Sequence, residues 1–149
     1  MTGKNKNTDR NGKMMFGITA GVLYILFGLA QFIMGFGFSS DITSSIFIHG
    51  DIIGGLILVL IGVVFIFGFR EMLRGISEGV AYIYIGIILG LIFLLIYLLI
   101  IIANAAEVYL IMSDEFSNWS PVNDLNPGIY LGILSLIGFI IWRRKFSLK

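Results

Sequence analysis

The sequence contains no cysteine, and this absence excludes several classes of chemistry. Disulfide frameworks, cysteine-ligated metal sites, iron–sulfur clusters and thiol catalysis all need a residue that the chain lacks. Charged residues are also scarce, at 13% of 149 residues, where soluble domains carry about 25%. Low charge combined with many apolar residues does not fit a disordered chain either. The composition therefore points away from disulfide scaffolds, thiol enzymes and disorder.

What the chain has in abundance is apolar sequence. Hydrophobic residues make up 58% of it and the mean hydropathy is +0.98, more apolar surface than a soluble domain of this size can bury. Four apolar runs are long enough, or nearly so, to cross a hydrocarbon core of about 30 Å. They cover residues 14–38, 46–69, 80–106 and 128–142. The sequence predicts an all-α membrane protein whose four transmembrane helices form a bundle.

The fourth run is the shortest, but local signals at both of its ends favour a membrane span. Asn126 and Pro127 precede it, and proline suits the first position of a helix. Trp142 closes it, and a basic cluster from residue 143 follows. The flanking segments are predicted to be a disordered basic tail over residues 1–13 and a second basic tail over 143–149.

The basic residues all fall on one side of the predicted membrane bundle. All ten lie before the first run, between the second and third, or after the fourth, which for four helices are places on one side of the membrane. The other two connections contain acidic residues and no Lys or Arg. By the positive-inside rule, the sequence predicts a multi-pass protein of the cell membrane with both termini cytoplasmic.

Glycine predicts how the helices meet. Small residues let membrane helices approach closely, and several of the 19 glycines recur at helical spacing. Two interpretations are open: the glycine stripes form seams inside one bundle, which we favour, or they form the contact between copies of the chain. The stripes include Gly21, Gly28 and Gly35 in the first run, Gly54, Gly55 and Gly62 in the second, Gly79, Gly86 and Gly90 in the third, and Gly128, Gly132, Ser135 and Gly138 in the fourth.

A few polar residues lie in or beside the apolar runs and form the candidate site. At 1.5 Å per residue, Gln31 and Asp51 lie about 26 and 27 Å from the cytoplasmic ends of their helices, and Asn104 about 36 Å. The sequence therefore predicts a polar layer near the outer edge of the hydrocarbon. An ionisable group in a membrane is a functional candidate by default, whereas the alternative is that Asp51 only caps a helix beginning at Ile52. The predicted layer comprises Gln31, His49, Asp51, Asn104 and Glu107.

Three functions are compatible with this pattern. The first is a small non-enzymatic accessory or assembly component that acts through helix packing, in a homo-oligomer or a larger membrane complex. The second is an oligomeric ion- or proton-linked transporter or channel lined by the polar layer. The third is a membrane enzyme that uses His49 and Asp51, which the scarcity of catalytic groups disfavours. We expect no enzyme activity, cofactor, metal or nucleic acid, since a lone histidine lacks the spacing of a metal site.

Overall fold

The computed structural model describes residues 3–37, 50–111 and 119–143. Within these residues the chain forms four α-helices and no strand, which confirms the predicted all-α fold. The helices are α1 (Gly3–Met34), α2 (Ile52–Leu73), α3 (Gly79–Ala106) and α4 (Pro127–Trp142). A π-helical turn, Glu107–Ile111, continues α3, and a 3₁₀ turn, Pro121–Asp124, precedes α4.

Three stretches of the described chain are long and apolar enough to cross a membrane. They are Asp9–Met34, Ile52–Leu73 and Gly79–Leu110. Helix α4 is as apolar as its neighbours but has only 16 residues, which gives a length of about 24 Å. It lies against α3 and closes the bundle on α1.

The bundle core is built on Phe65 of α2, which is fully buried. Its ring centroid lies 5.6 Å from that of Tyr24 and 5.8 Å from that of Phe16, both on α1. Phe16 in turn makes an edge-to-face contact with Trp142 of α4, with ring centroids 5.1 Å apart. Aromatic side chains thus connect α1, α2 and α4 across the centre.

Helix α1 begins earlier than the sequence predicts. The predicted disordered tail over 1–13 is instead helical from Gly3 onward. Lys13 and Asp9 form an ion pair of 3.4 Å at a spacing of four residues, and the Lys13 side chain is buried. Such a pair supports helical structure, and the aliphatic part of Lys13 extends the packed surface of α1.

Helix α2 begins later and ends later than predicted. Residues 46–49 lie outside the described residues, and Gly50 and Asp51 precede the first helical residue, Ile52. At the other end α2 continues past Phe69 to Leu73. Gly75 then adopts a left-handed φ of 78°, and the Ile76 amide donates to the Glu71 carbonyl over 3.0 Å. This glycine-terminated cap reverses the chain into α3.

Helix α4 begins where the sequence predicts, after Asn126. Pro127 occupies the first turn, and the Asn126 side chain accepts a hydrogen bond of 3.0 Å from the Gly128 amide. Proline lacks an amide hydrogen, so it loses nothing at a position where that hydrogen would have no helical acceptor.

Glycines lie where helices of the same chain meet. An added Cβ on Gly28 of α1 would lie 2.8 Å from the Gly55 carbonyl oxygen of α2. One on Gly68 of α2 would lie 3.0 Å from the Gly79 carbonyl oxygen of α3. The interpretation of the stripes as seams inside one bundle is therefore confirmed for these positions.

The two ends of the bundle hold different parts of the chain. The Lys13 end holds the N-terminal part of α1, the α2–α3 turn and the C-terminus of α4: Lys13 lines a cavity with Ser77, and a Cβ on Gly12 would lie 3.7 Å from Trp142. The Asp51 end holds the C-terminus of α1 and the N-termini of α2 and α4.

Candidate functional site

Asp51 is the N-cap of α2. Its backbone is extended, with φ −143° and ψ 104°, and its Oδ1 accepts a hydrogen bond of 2.9 Å from the Gly54 amide. A carboxylate here satisfies a free amide and interacts favourably with the positive end of the helix dipole. The capping interpretation of Asp51 is thus confirmed, and the residue stands at the start of the helix rather than inside it.

Through its carboxylate and its backbone amide, Asp51 also joins α2 to two other helices. The Tyr97 hydroxyl of α3 donates to Asp51 Oδ2 over 3.2 Å. The Asp51 amide donates to the Gln31 carbonyl of α1 over 3.2 Å. The Tyr97 side chain is buried between two glycines: an added Cβ on Gly128 would collide with its ring, and one on Gly54 would lie 2.6 Å from its hydroxyl oxygen. Asp51 therefore fixes the relative positions of α1, α2 and α3.

Gln31 belongs to the same group. Its side chain is only 1% exposed and interacts with the Tyr97 hydroxyl. Among the described residues, Gln31 Oε1 has no hydrogen-bond partner. A buried carbonyl oxygen without a hydrogen bond costs about 1–3 kcal/mol of stability, so this atom is an unsatisfied acceptor beside groups that are hydrogen-bonded. We call Gln31, Asp51 and Tyr97 the Asp51 cluster.

Asn104 lies in a second, separate group. Its Nδ2 donates to Asp124 Oδ2 over 2.8 Å, and Trp119 Nε1 donates to the same oxygen over 2.9 Å. Asn104 is two helical turns beyond Tyr97, which places it about 10 Å further along α3. Glu107 follows as the first residue of the π-helical turn and is partly exposed.

The predicted polar layer is thus divided into two groups in the structure. Gln31 and Asp51 come together, whereas Asn104 is bonded to the segment before α4. The physical reason is length: Asn104 lies two helical turns beyond Tyr97 on α3, in agreement with the counted height of about 36 Å against about 26 and 27 Å, and this difference separates it from the Asp51 cluster. His49 lies outside the described residues.

Sequence reasoning missed two tyrosines. Tyr97 completes the Asp51 cluster. Tyr24, 1% exposed in the middle of α1, donates to the Leu131 carbonyl over 2.9 Å, and its oxygen lies 2.8 Å from Ser135 Oγ. The sequence held only a weak signal for the position of Tyr24. Gly90 and Ser135 are small residues, and both lie against the Tyr24 hydroxyl.

The contacts that the structure shows for these groups are hydrogen bonds between and within helices. The Asp51 carboxylate accepts two hydrogen bonds, one on each oxygen, and both fix the positions of helices. Tyr24 and Ser135 satisfy each other inside the core. The atom with spare capacity is Gln31 Oε1, which could accept a hydrogen bond or contribute to a cation site.

Comparison with known proteins places the chain in a family. The model of the MJ0565 integral membrane domain matches residues 7–144. A relative from Methanocaldococcus jannaschii, "Uncharacterized protein MJ0565", is 28% identical over 136 residues, which cover 89% of this chain and 90% of the relative. No solved structure matches the chain. Because the family model covers the whole bundle and the described helices are long and apolar, the protein is an all-α integral membrane protein that belongs to the MJ0565 integral membrane domain family.

Proposed function

We propose that this protein is a non-enzymatic, multi-pass component of the cell membrane that acts through helix packing as an accessory or assembly protein. In this proposal all four helices cross the bilayer and both termini are cytoplasmic. The partner is another integral membrane protein or a further copy of the chain.

The observation that carries the proposal is that the Asp51 carboxylate and the glycines between α1 and α2 make their contacts inside the bundle. The Asp51 carboxylate is occupied by the Gly54 amide and the Tyr97 hydroxyl. Gly28 and Gly55 face each other across α1 and α2. What faces outward is a surface of large aliphatic side chains, such as Leu60 at 64% and Ile102 at 62% exposure. Such a surface can contact lipid or another membrane helix without a polar substrate.

Charge placement supports the topology. Lys13, Arg74 and Arg143 lie at the Lys13 end, whereas Asp51 and Asp124 lie towards the opposite end. With the Lys13 end cytoplasmic, the arrangement follows the positive-inside rule.

The topology can be tested by single-cysteine labelling, since the natural chain needs no cysteine removed. Cysteines at Lys6, Arg74 or Arg143 should resist an impermeant thiol reagent in intact cells and react after the membrane is opened. Cysteines at Ser40 or Ser117 should react from outside. Labelling of Arg143→Cys from outside would mean that α4 does not cross the membrane and that the protein has three spans.

The accessory role can be tested by comparing two variants in native membranes at native expression. Gly55→Ala disturbs the packing of α1 on α2, while Asp51→Asn keeps a capping side chain. If the role depends on packing, mild-detergent extracts of wild type and Asp51→Asn should contain a complex of constant stoichiometry, and Gly55→Ala should lose it. A wild-type protein that is a monomer in its native membrane would contradict the proposal.

A second candidate function is ion- or proton-linked transport by an oligomer. The specific observation in its favour is Gln31 Oε1, a buried oxygen without a partner among the described residues, in the same cluster as the Asp51 carboxylate. Liposomes containing wild-type protein should then show a cation or proton flux that Asp51→Asn abolishes while the bundle remains folded. Equal flux in protein-containing and empty liposomes would remove this candidate.

A further inference from the structure

A cavity opens at the Lys13 end, between α1 and the turn that joins α2 to α3. Its volume is about 370 Å³, which falls within the range of small-ligand pockets. Helix α1 contributes Asp9, Arg10 and Lys13 to its wall, and the turn contributes Ser77. The remaining wall is mainly apolar and includes Met72 and Ile76. We call this space the Lys13 cavity.

The charged groups of the Lys13 cavity leave it with a positive balance. Two cations, Arg10 and Lys13, face one carboxylate, Asp9. The Lys13 ammonium lies 3.4 Å from Asp9 Oδ2, and its side chain is 7% exposed. Asp9 thus holds a nearly buried cation in position, whereas Arg10 is exposed. An arginine next to a fixed ammonium favours a phosphate group, because a guanidinium donates two parallel hydrogen bonds to phosphate oxygens.

The position of the cavity along the bundle indicates where that phosphate would come from. The apolar run of α1 starts at Met14, directly after Lys13, and Trp142 of α4 packs beside Gly12. Lysine and tryptophan at the ends of apolar helices mark the level of the lipid headgroups. A phospholipid in that leaflet can place its phosphate on Arg10 and Lys13 while its chains run along the apolar wall. Basic pockets between membrane helices are known to bind anionic headgroups.

We propose that the Lys13 cavity binds the headgroup of an anionic phospholipid. Arg10 and Lys13 contact the phosphate, Ser77 offers a hydroxyl, and Asp9 holds Lys13 in position. The inference uses the membrane location of the protein but neither its orientation nor its accessory role, so it stands or fails separately from them.

The test measures lipid binding by the purified full-length protein with native mass spectrometry and by thermal unfolding in detergent. The probes are phosphatidylglycerol, phosphatidylcholine and inorganic phosphate. Arg10→Gln is the main variant because the exposed side chain can be replaced without disturbing the fold. Lys13→Gln is the second variant. Arg143→Gln is the matched control, since it removes an exposed cation at the same end but outside the cavity.

We expect the wild type to prefer phosphatidylglycerol over phosphatidylcholine by about tenfold, and Arg10→Gln to lose about five- to tenfold in affinity for phosphatidylglycerol. Arg143→Gln should change it by less than about twofold. Equal losses in Arg10→Gln and Arg143→Gln would mean general attraction to anionic surfaces and overturn the site. Stabilisation by inorganic phosphate equal to that by phosphatidylglycerol would assign the cavity to free phosphate and overturn the lipid.

Discussion

Helix α2 and helix α4 both carry glycines against a neighbouring helix, but the atoms opposite these glycines differ. On α2, an added Cβ on Gly55 would lie 2.6 Å from the Phe32 amide nitrogen and 2.7 Å from the Gly28 carbonyl oxygen. All of its closest neighbours are backbone atoms of α1. At Gly55, α1 and α2 therefore meet backbone against backbone.

On α4 the glycines accommodate side chains instead. An added Cβ on Gly138 would lie 2.6 Å from the Cζ atom of Phe16, at the tip of its ring. Gly128 lies in the same way against the Tyr97 ring. The aromatic ring fills the space that the missing Cβ leaves, so α4 contacts its neighbours through side chains that have rotational freedom.

A stripe of small residues therefore has two separate uses. Where backbones meet, the distance between helix axes is set by the glycine and cannot relax without moving a whole helix. Where a glycine receives a ring, the ring can shift by a few tenths of an ångström while the helices stay in place. We therefore expect an added methyl group to destabilise the contact between α1 and α2, which is the rigid side of the bundle. The contacts of α4, the tolerant side, should accommodate one.

The largest effect should come from Gly55→Ala. The new methyl group collides with the backbone of α1, and overpacking of this kind costs about 1–3 kcal/mol, occasionally more. The better helix propensity of alanine offsets less than about 1 kcal/mol of this cost. Because backbone atoms cannot turn aside, we place the cost in the upper part of that range and expect a net loss of about 2 kcal/mol in the free energy of unfolding, measured by thermal or denaturant unfolding in detergent. Wild-type stability for Gly55→Ala would mean that α1 and α2 are further apart than the structure places them.

Local features of the fold could be predicted from the sequence, whereas contacts between distant helices could not. The apolar runs, the Asp51 cap and the entry of α4 at Pro127 depend on neighbouring residues, so local patterns were sufficient. The Tyr97–Asp51 bond depends on how α3 is rotated and how far it extends past α2, which no local pattern specifies. A tyrosine within an apolar run is indistinguishable from other large apolar residues until its partner is known, and Tyr24 was missed for this reason.

The next largest effect concerns Asp51, which joins the rigid hairpin to α3. Asp51→Ala removes the cap, at a cost of about 1 kcal/mol, and the acceptor of the Tyr97 hydroxyl, at about 0.6 kcal/mol. Asp51→Asn keeps an oxygen that can cap and should lose less than about 0.5 kcal/mol. Unfolding of both variants in detergent would measure this difference. Equal losses in the two would show that the negative charge, rather than the cap, stabilises the Asp51 end.

A smaller effect is expected at the hydroxyl contact between α1 and α4. Tyr24→Phe removes the bonds to Leu131 and Ser135, and interhelical hydrogen bonds in membranes contribute about 0.6 kcal/mol on average and about 1.7 at most. We therefore expect a loss of about 1 kcal/mol. Ser135→Ala is the partner for a double-mutant cycle, which should give a coupling energy of about 0.5 kcal/mol or more. Strict additivity would mean that the two hydroxyls do not interact.

The smallest effect should come from Gly138→Ala, the counterpart of Gly55→Ala on the tolerant side. The added methyl meets the tip of the Phe16 ring, which is only partly buried and can turn away, at a cost of about 1 kcal/mol. Alanine in the middle of α4 returns up to about 1 kcal/mol of helix propensity, so the net change should lie within about 0.5 kcal/mol of zero. Gly12→Ala is the control for the propensity term alone, because its Cβ would lie 3.7 Å from Trp142, an ordinary contact distance. It should leave the protein as stable as wild type or slightly more so. If Gly138→Ala instead destabilises as much as Gly55→Ala while Gly12→Ala does not, Phe16 cannot move, and α4 is as rigidly packed as α2.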